Sequence, residues 1–139
     1  MVKVLVAEDD KVTRLIVTSM LKSEGYEVVE CGDGSPVYDV ALSEQADIVV
    51  LDVVMPGMDG FDALRLLRGN EETRCIPAIM LTSLPDEVGE PIGNKLGVSH
   101  YLVKPLTSDM VKLSMRSVIR EAGLDTAPAP VSAAPPPPR

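Results

Sequence analysis

Acidic residues follow two of the apolar runs in this sequence of 139 residues. Glu8 and Asp9 come directly after the run Lys3 to Ala7, and Asp52 ends the run Asp47 to Asp52. Carboxylates that lie close together repel one another unless a cation sits among them. Oxygen ligands that leave room for water suit Mg²⁺. A carboxylate beside such an ion can also attack phosphorus. The pattern therefore predicts magnesium-dependent phosphoryl chemistry.

Two more apolar runs end in residues that fit the same chemistry. Thr82 and Ser83 close the run that starts at Ile76, and Lys104 with Pro105 follows a run from His100 to Val103. A lysine ammonium stabilises phosphoryl oxygens, and a hydroxyl can donate a hydrogen bond to them. In open α/β sheets the carboxyl ends of the strands converge on one crevice. We therefore expect these groups to meet the carboxylates there.

The elements that must position these residues alternate between strand and helix. Apolar positions at helical spacing predict four helices, and short apolar runs rich in β-branched residues predict five strands. Such alternation predicts a doubly wound α/β fold with a parallel sheet. The predicted helices are Lys11 to Glu24, about Pro36 to Ser43, Asp62 to Arg68 and Thr107 to Ala122; the predicted strands are Lys3 to Ala7, Glu27 to Cys31, Asp47 to Asp52, Ile76 to Thr82 and His100 to Val103.

Local signals refine three of these helices. Asp10 is suited to cap the first one, Gly25 to end it, and Ser35 with Pro36 to supply a cap and a first-turn proline for the second. A further helix is expected before the last strand. Its segment, residues 86–97, contains Gly89, Pro91 and Gly93, which are poor residues for a helix interior. We expect that helix to be shortened or loosened and to start near Pro91.

Composition excludes several classes of function. A formal net charge of −8 makes direct nucleic-acid binding by this domain unfavourable. No signal-peptide pattern opens the chain and no apolar run is long enough to span a bilayer, which indicates a cytoplasmic protein without membrane partners. Cys31 and Cys75 lack metal-type spacing and are expected to be reduced, partly buried thiols. The single histidine, His100, is expected to be structural or exposed.

The composition changes abruptly after Gly123. Alternating alanine and proline residues begin at Ala127, and the chain closes with a proline run from Pro135 to Pro138. Such a stretch cannot bury a core and is typical of a semi-stiff linker. We therefore expect one domain over residues 1–123 and a disordered Pro/Ala-rich linker or tail over residues 124–139. A tether to an effector is favoured over a plain tail.

Four sequence stretches, taken together, resemble a known family. The stretches VLVAEDD, IVVLDVVMPGMDG, AIMLTS and YLVKP occur in the order and spacing of the receiver domains of bacterial two-component response regulators, including the chemotaxis regulators. The resemblance covers residues 1 to about 122. It implies a flavodoxin-like (βα)5 fold with a five-stranded parallel sheet in the order 2-1-3-4-5.

The resemblance also implies a phosphoacceptor and a metal site. Asp52 corresponds to the residue that receives the phosphoryl group. Glu8, Asp9, Asp52 and the backbone carbonyl of Val54 correspond to the ligands of Mg²⁺, for which Mn²⁺ is an expected substitute.

Residues at the ends of the last two strands correspond to the catalytic and switching groups of receivers. Thr82 matches the switch hydroxyl and Tyr101 the switch aromatic residue. Lys104 matches the lysine that contacts the phosphoryl group, and a cis peptide bond is expected between Lys104 and Pro105.

By the same resemblance, a sensor histidine kinase or a phosphotransfer protein donates the phosphoryl group. Phosphorylation then shifts a two-state equilibrium that controls an output domain or partner, and it can promote dimerisation. The altered helix before the last strand belongs to the face that receivers usually present to partners. Its altered shape puts the common dimer mode through that helix in doubt. The chain is expected to catalyse its own phosphorylation and dephosphorylation without being a turnover enzyme. Val54 and Leu84 are apolar where receivers position the attacking water, which predicts slow dephosphorylation.

Three alternative functions are less consistent with these residues. A flavodoxin-like cofactor binder needs a phosphate loop after the first strand, where this chain has acidic residues. A dehalogenase-type phosphatase usually carries a second aspartate two positions after its nucleophile, where this chain has Val54. A degenerate receiver that acts as a phosphorylation-independent docking module remains the alternative, although no key position is missing.

Overall fold

The computed structural model describes residues 1–83, 91–92 and 94–124. Strands and helices alternate along these residues, as the apolar pattern predicts. The strands are β1 (Lys3–Ala7), β2 (Glu27–Cys31), β3 (Ile48–Asp52), β4 (Ala78–Thr82) and β5 (His100–Val103), and the helices are α1 (Lys11–Ser23), α2 (Val37–Ser43), α3 (Gly60–Arg68) and α4 (Ser108–Ala122).

All five strands form one parallel sheet in the order β2-β1-β3-β4-β5. The predicted flavodoxin-like topology is therefore confirmed. Strand β3 is central, and each of its residues is buried. The register places Ala7 opposite Leu51, and Asp52 opposite Leu81. The carboxyl ends of β1, β3 and β4 therefore lie side by side at one edge.

Apolar layers cover both faces of the sheet because successive strand residues point to opposite sides. Leu5, Val49 and Leu51 pack with α2 and α3 on one face. Ile48 and Val50 pack with α1 and α4 on the other. Helices on both faces explain why the central strands are continuous apolar runs rather than alternating ones.

Helix starts depend on which side chain can cap them. Asp10 caps α1 by accepting a 2.8 Å hydrogen bond from the Thr13 amide, as expected. Helix α3 starts at Gly60 rather than at Asp62, because the Asp59 side chain accepts a 2.8 Å hydrogen bond from the Asp62 amide. These carboxylates satisfy amide groups that have no partner within the helix.

Two predicted element boundaries that lie next to prolines need correction. Pro36 is the N-cap residue of α2 and not a first-turn residue, and no side chain caps that helix, so Ser35 does not do so. Strand β4 starts at Ala78 rather than at Ile76. Pro77 has no amide hydrogen and can only accept, which it does from the Val49 amide at 3.0 Å.

Both cysteines are free thiols, as predicted, but Cys75 is exposed rather than partly buried. His100 lies in β5, with Nε2 4.0 Å from a carboxylate oxygen of Glu121. Helix α4 ends at Ala122 with Gly123 as its C-cap residue, and Leu124 still packs against the core. The predicted linker beyond it lies outside the described residues.

The helix expected within residues 86–97 lies only partly among the described residues. Pro91, Ile92, Asn94 and Lys95 have helical backbone, and the preceding part of that segment is not described. Across the described part of the chain, no helix has the length and apolar character needed to cross a bilayer.

Gly60 allows α3 to start against the end of β3. A Cβ atom added at Gly60 would overlap the carbonyl oxygen of Asp52. We expect Gly60→Ala to lower the free energy of unfolding by about 1–3 kcal/mol, the usual cost of overpacking, although alanine is ordinarily the better helix former. Urea denaturation measures the change.

Gly32→Ala is the matched control for that substitution. The nearest atom to its added Cβ is Nη1 of Arg14 at 3.2 Å, the far end of a flexible side chain. We expect a much smaller change there. Equal stability of Gly60→Ala and the wild type would contradict the steric argument.

Candidate functional site

The link between β1 and α1 presents two carboxylates with different environments. Glu8 is completely buried, whereas Asp9 is exposed. The Glu8 amide donates to the carbonyl of Cys31 at 3.1 Å, which extends the β1–β2 pairing by one residue. The Asp10 amide donates to Oε2 of Glu8 at 3.3 Å. The backbone of this link therefore holds the Glu8 side chain on its inner side.

Asp52 completes an acidic cluster at this edge of the sheet. It is the last residue of β3 and is 4% exposed. One carboxylate oxygen from each of Glu8, Asp9 and Asp52 lies within 4.8 Å of the others. The structure thus brings together the three acidic residues that the sequence pattern selects, although Asp9 and Asp52 are 43 positions apart in the sequence.

Lys104 is the cation that contacts this cluster. Its Nζ lies 2.8 Å from Oε1 of Glu8 and 3.4 Å from Oδ2 of Asp52. Lys104 follows β5, and its amide donates to the carbonyl of Thr82 at 2.7 Å, which holds its backbone against the end of β4. The Lys104–Pro105 peptide bond is cis.

The charges in this site perturb one another. Burial raises the pKa of Glu8, the adjacent Asp52 carboxylate raises it further, and the Lys104 ammonium opposes both. Burial alone would lower the pKa of Lys104, but its contacts with Glu8 and Asp52 outweigh that effect and raise it. Three carboxylates facing one ammonium leave an excess of negative charge that a divalent cation would balance.

The oxygen donors fit Mg²⁺ better than a softer metal. All three acidic side chains offer hard oxygen ligands, and neither a cysteine nor a histidine takes part in the cluster. The exposed Asp9 leaves one side of the cluster open to solvent. Mg²⁺ usually keeps several waters and binds one or two carboxylates, so this half-open arrangement suits it.

Thr82 and Tyr101 belong to the neighbouring strands β4 and β5. Thr82 is the last residue of β4 and is completely buried next to the acidic edge. Tyr101 pairs with Met80 in the sheet register, and its ring packs against the apolar layer on the α2 and α3 face. The switch roles expected of these two residues stay predictions.

Val54 lies two residues beyond Asp52, in the loop between β3 and α3. Its side chain is 59% exposed, so it is not held by the core. Its carbonyl remains the candidate fourth protein ligand. Leu84, the other apolar residue expected near the attacking water, lies outside the described residues.

Arg14 makes a contact with this site that the sequence pattern did not indicate. Its Nη1 donates to the carbonyl oxygen of Glu8 at 2.7 Å. The one available signal was its position four residues after Asp10, which places it on the first turn of α1. Nothing in that spacing points to a carbonyl at the end of β1.

Comparison with known proteins identifies the family. Residues 4–116 match the response regulator receiver domain. Protein PilH of Pseudomonas aeruginosa is 31% identical over 119 residues, which cover 86% of this chain and 98% of PilH. The probable transcriptional regulator ycf27 of Cyanophora paradoxa is 37% identical over 118 residues, which cover 85% of this chain but only 48% of that protein.

Solved structures agree with this assignment. The chemotaxis protein CheY4 of Vibrio cholerae superposes with a TM-score of 0.80 at 30% identity, covering 85% of this chain and 98% of CheY4. The receiver domain of the sensor histidine kinase PA1611 from Pseudomonas aeruginosa, with a magnesium ion in its active-site cleft, has a TM-score of 0.76 at 29% identity and covers 87% of this chain and 97% of that domain. This chain therefore belongs to the response regulator receiver domain family of two-component signalling proteins.

Proposed function

We propose that this receiver domain accepts a phosphoryl group on Asp52 in a Mg²⁺-dependent reaction and passes the signal on by changing conformation. The observation that carries this proposal is the arrangement around Asp52. It ends the central strand between the Glu8–Asp9 link and Thr82, and the Lys104 ammonium lies 3.4 Å from its carboxylate. The Glu8–Asp9 link, Thr82 and Lys104 therefore all lie around the Asp52 carboxylate.

The other two carboxylates are less suited to act as nucleophile. Glu8 is completely buried, and its oxygens are taken up by the Lys104 ammonium and the Asp10 amide. Asp9 is exposed to solvent, whereas Asp52 is buried and lies in contact with the Lys104 ammonium. Glu8 and Asp9 are better placed to hold a cation.

Glu8, Asp9, Asp52 and the Val54 carbonyl would hold the Mg²⁺ ion, and Mn²⁺ is expected to substitute for it. When bound, the ion neutralises the acidic cluster and the negative charge of the incoming phosphoryl group. The Lys104 ammonium supplies the second positive charge, and it can turn from Glu8 to a phosphoryl oxygen without leaving the site. The magnesium in the PA1611 receiver domain supports this proposal.

The covalent step transfers one phosphoryl group. An oxygen of the ionised Asp52 carboxylate forms a bond to phosphorus while the phosphorus–nitrogen bond of a phosphohistidine donor breaks. The donor imidazole keeps the electron pair and takes up a proton, and Asp52 becomes an acyl phosphate. Hydrolysis later restores the carboxylate, so the domain catalyses its own cycle and is not a turnover enzyme.

Thr82 and Tyr101 would convert the new charge into a change of shape. A phosphoryl oxygen on Asp52 attracts the Thr82 hydroxyl, since an added anion favours nearby donors. Space left by the Thr82 side chain would then admit the ring of Tyr101 in the neighbouring strand. The surface around β4 and β5 thus becomes the part that an output domain or partner reads.

The donor would be a sensor histidine kinase or a phosphotransfer protein in the cytoplasm, and an exposed apolar stripe on α1 is a candidate surface for it. Val12, Leu15 and Ile16 are 65%, 65% and 47% exposed. Their spacing of three and four places them on one helix face. The stripe starts directly after the acidic link, so a protein seated on it would lie beside Asp52.

The region beyond residue 123 would tether the domain to its output.

The first test is phosphorylation by a small donor. We expect the wild-type chain, incubated with acetyl phosphate and Mg²⁺, to gain the mass of one phosphoryl group. Asp52→Asn should gain none, because an amide cannot form the acyl phosphate. Asp33→Asn, which changes a carboxylate near the end of β2 outside the acidic cluster, should behave as wild type. Labelling of Asp52→Asn, or full labelling in excess chelator, would refute the proposal.

A second test concerns the α1 stripe. The donor is a phosphotransfer domain that phosphorylates the wild type. Leu15→Glu should slow transfer from this donor about tenfold or more, which corresponds to the loss of about 1.4 kcal/mol of docking energy. Its labelling by acetyl phosphate should not change. Leu113→Glu on α4, where the leucine is 64% exposed, is the matched control. Equal slowing with both donors would argue against docking.

A third test concerns the lifetime of the acyl phosphate. Val54 cannot hydrogen-bond the attacking water, so we expect slow loss of the phosphoryl group. Val54→Asn should speed that loss at least about tenfold, since a positioned polar group typically contributes a factor on the order of 10² or more. Val54→Ala separates this effect from loss of bulk and should stay slow. Wild-type decay as fast as that of chemotaxis receivers would contradict the expectation.

A further inference from the structure

The Arg14 side chain joins three elements next to the acidic cluster. It comes from the first turn of α1, and its Nη1 donates to the Glu8 carbonyl at 2.7 Å. Its Nε lies 3.3 Å from Oε1 of Glu30 in β2. The side chain is 20% exposed, and that of Glu30 is 45% exposed. The planar guanidinium can hold both partners at once because its donors point in fixed directions.

The carbonyl that Arg14 holds belongs to the peptide group between Glu8 and Asp9. Rotation of that peptide plane would move the Asp9 side chain relative to Glu8 and Asp52. Among the described residues, no side chain or backbone donor holds the Asp9 carboxylate itself. The position of Asp9 in the cluster therefore depends on its backbone. Arg14 holds the peptide group that precedes Asp9, and the Glu8 carboxylate accepts from the amide that follows it.

We propose that Arg14 is a positioning residue for the cation site, which sets Asp9 against Glu8 and Asp52 before Mg²⁺ arrives. This inference rests on the proposed function, because it concerns the same cluster. Groups that orient metal ligands through hydrogen bonds typically change metal affinity by about 10- to 100-fold when they are removed. Arg14 fulfils this role through a backbone carbonyl rather than through the carboxylate.

Charge and geometry predict opposite effects when Arg14 is replaced. A guanidinium close to the cluster repels a divalent cation, so removing its charge alone would strengthen Mg²⁺ binding. Loss of the Glu8 carbonyl contact would instead let the Glu8–Asp9 peptide group move and would weaken binding. The direction of the change therefore distinguishes a positioning residue from a nearby charge.

The experiment is a calorimetric Mg²⁺ titration of the full chain without a phosphodonor. We expect Arg14→Gln to raise the Kd about tenfold. Arg14→Lys keeps the charge, but a single ammonium cannot reproduce the two-partner geometry, so its Kd should lie between those of Arg14→Gln and the wild type. Arg65→Gln is the matched control. Arg65 is exposed on α3 and pairs with Asp62, away from the cluster.

An unchanged or lower Kd for Arg14→Gln would overturn the inference. Thermal melting without Mg²⁺ shows whether each variant folds, and if Arg14→Gln does not fold, Arg14→Lys decides by the same criterion. Failure of the proposed function gives a different result. In that case the wild-type chain itself would not bind Mg²⁺, whereas failure of this inference leaves wild-type binding intact and the variant binding Mg²⁺ equally or more tightly.

Discussion

The contact of the Lys104 ammonium with the carboxylates of Glu8 and Asp52 is the interaction on which this edge of the sheet depends. Its distances are 2.8 and 3.4 Å, and it joins residues that are 96 positions apart. Glu8 has no access to solvent. A carboxylate buried in this way is stable only when it is paired or hydrogen-bonded, because desolvation penalises the charged form. The ends of β1, β3 and β5 must therefore stay together.

The strand order makes that contact possible, and it also lets the Lys104 ammonium change partners. Neighbouring strands are about 5 Å apart, so β5 lies roughly 10 Å from β3, with β4 between them. Only a long side chain that starts beyond the end of its strand can reach across this distance. A lysine does so with a point charge that can change partners. The ammonium holds the two carboxylates together at rest, and in the proposed function it would turn to a phosphoryl oxygen.

Helix α1 connects the site with the rest of the molecule through its three faces. Val17 and Leu21 pack into the core and fix the helix on the sheet. Arg14 reaches back to the link that carries Asp9, and the stripe that includes Leu15 faces solvent. Because one helix carries all three, the two proposals together imply that the same helix would position a docked protein and, through Arg14, the cation site. Docking of a partner and the geometry of the cation site would then depend on the same helix.

The sequence by itself determined the elements, their order and the acidic edge, because apolar periodicity and the carboxyl ends of parallel strands are local signals. It located Asp52 and Lys104 correctly at strand ends. Only the tertiary structure decided that Pro36 occupies the N-cap position of α2 and that the Asp59 side chain caps α3. It alone also showed that Arg14 holds the Glu8 carbonyl. Such contacts depend on which backbone groups remain unsatisfied after the sheet has formed, and residue spacing does not reveal that.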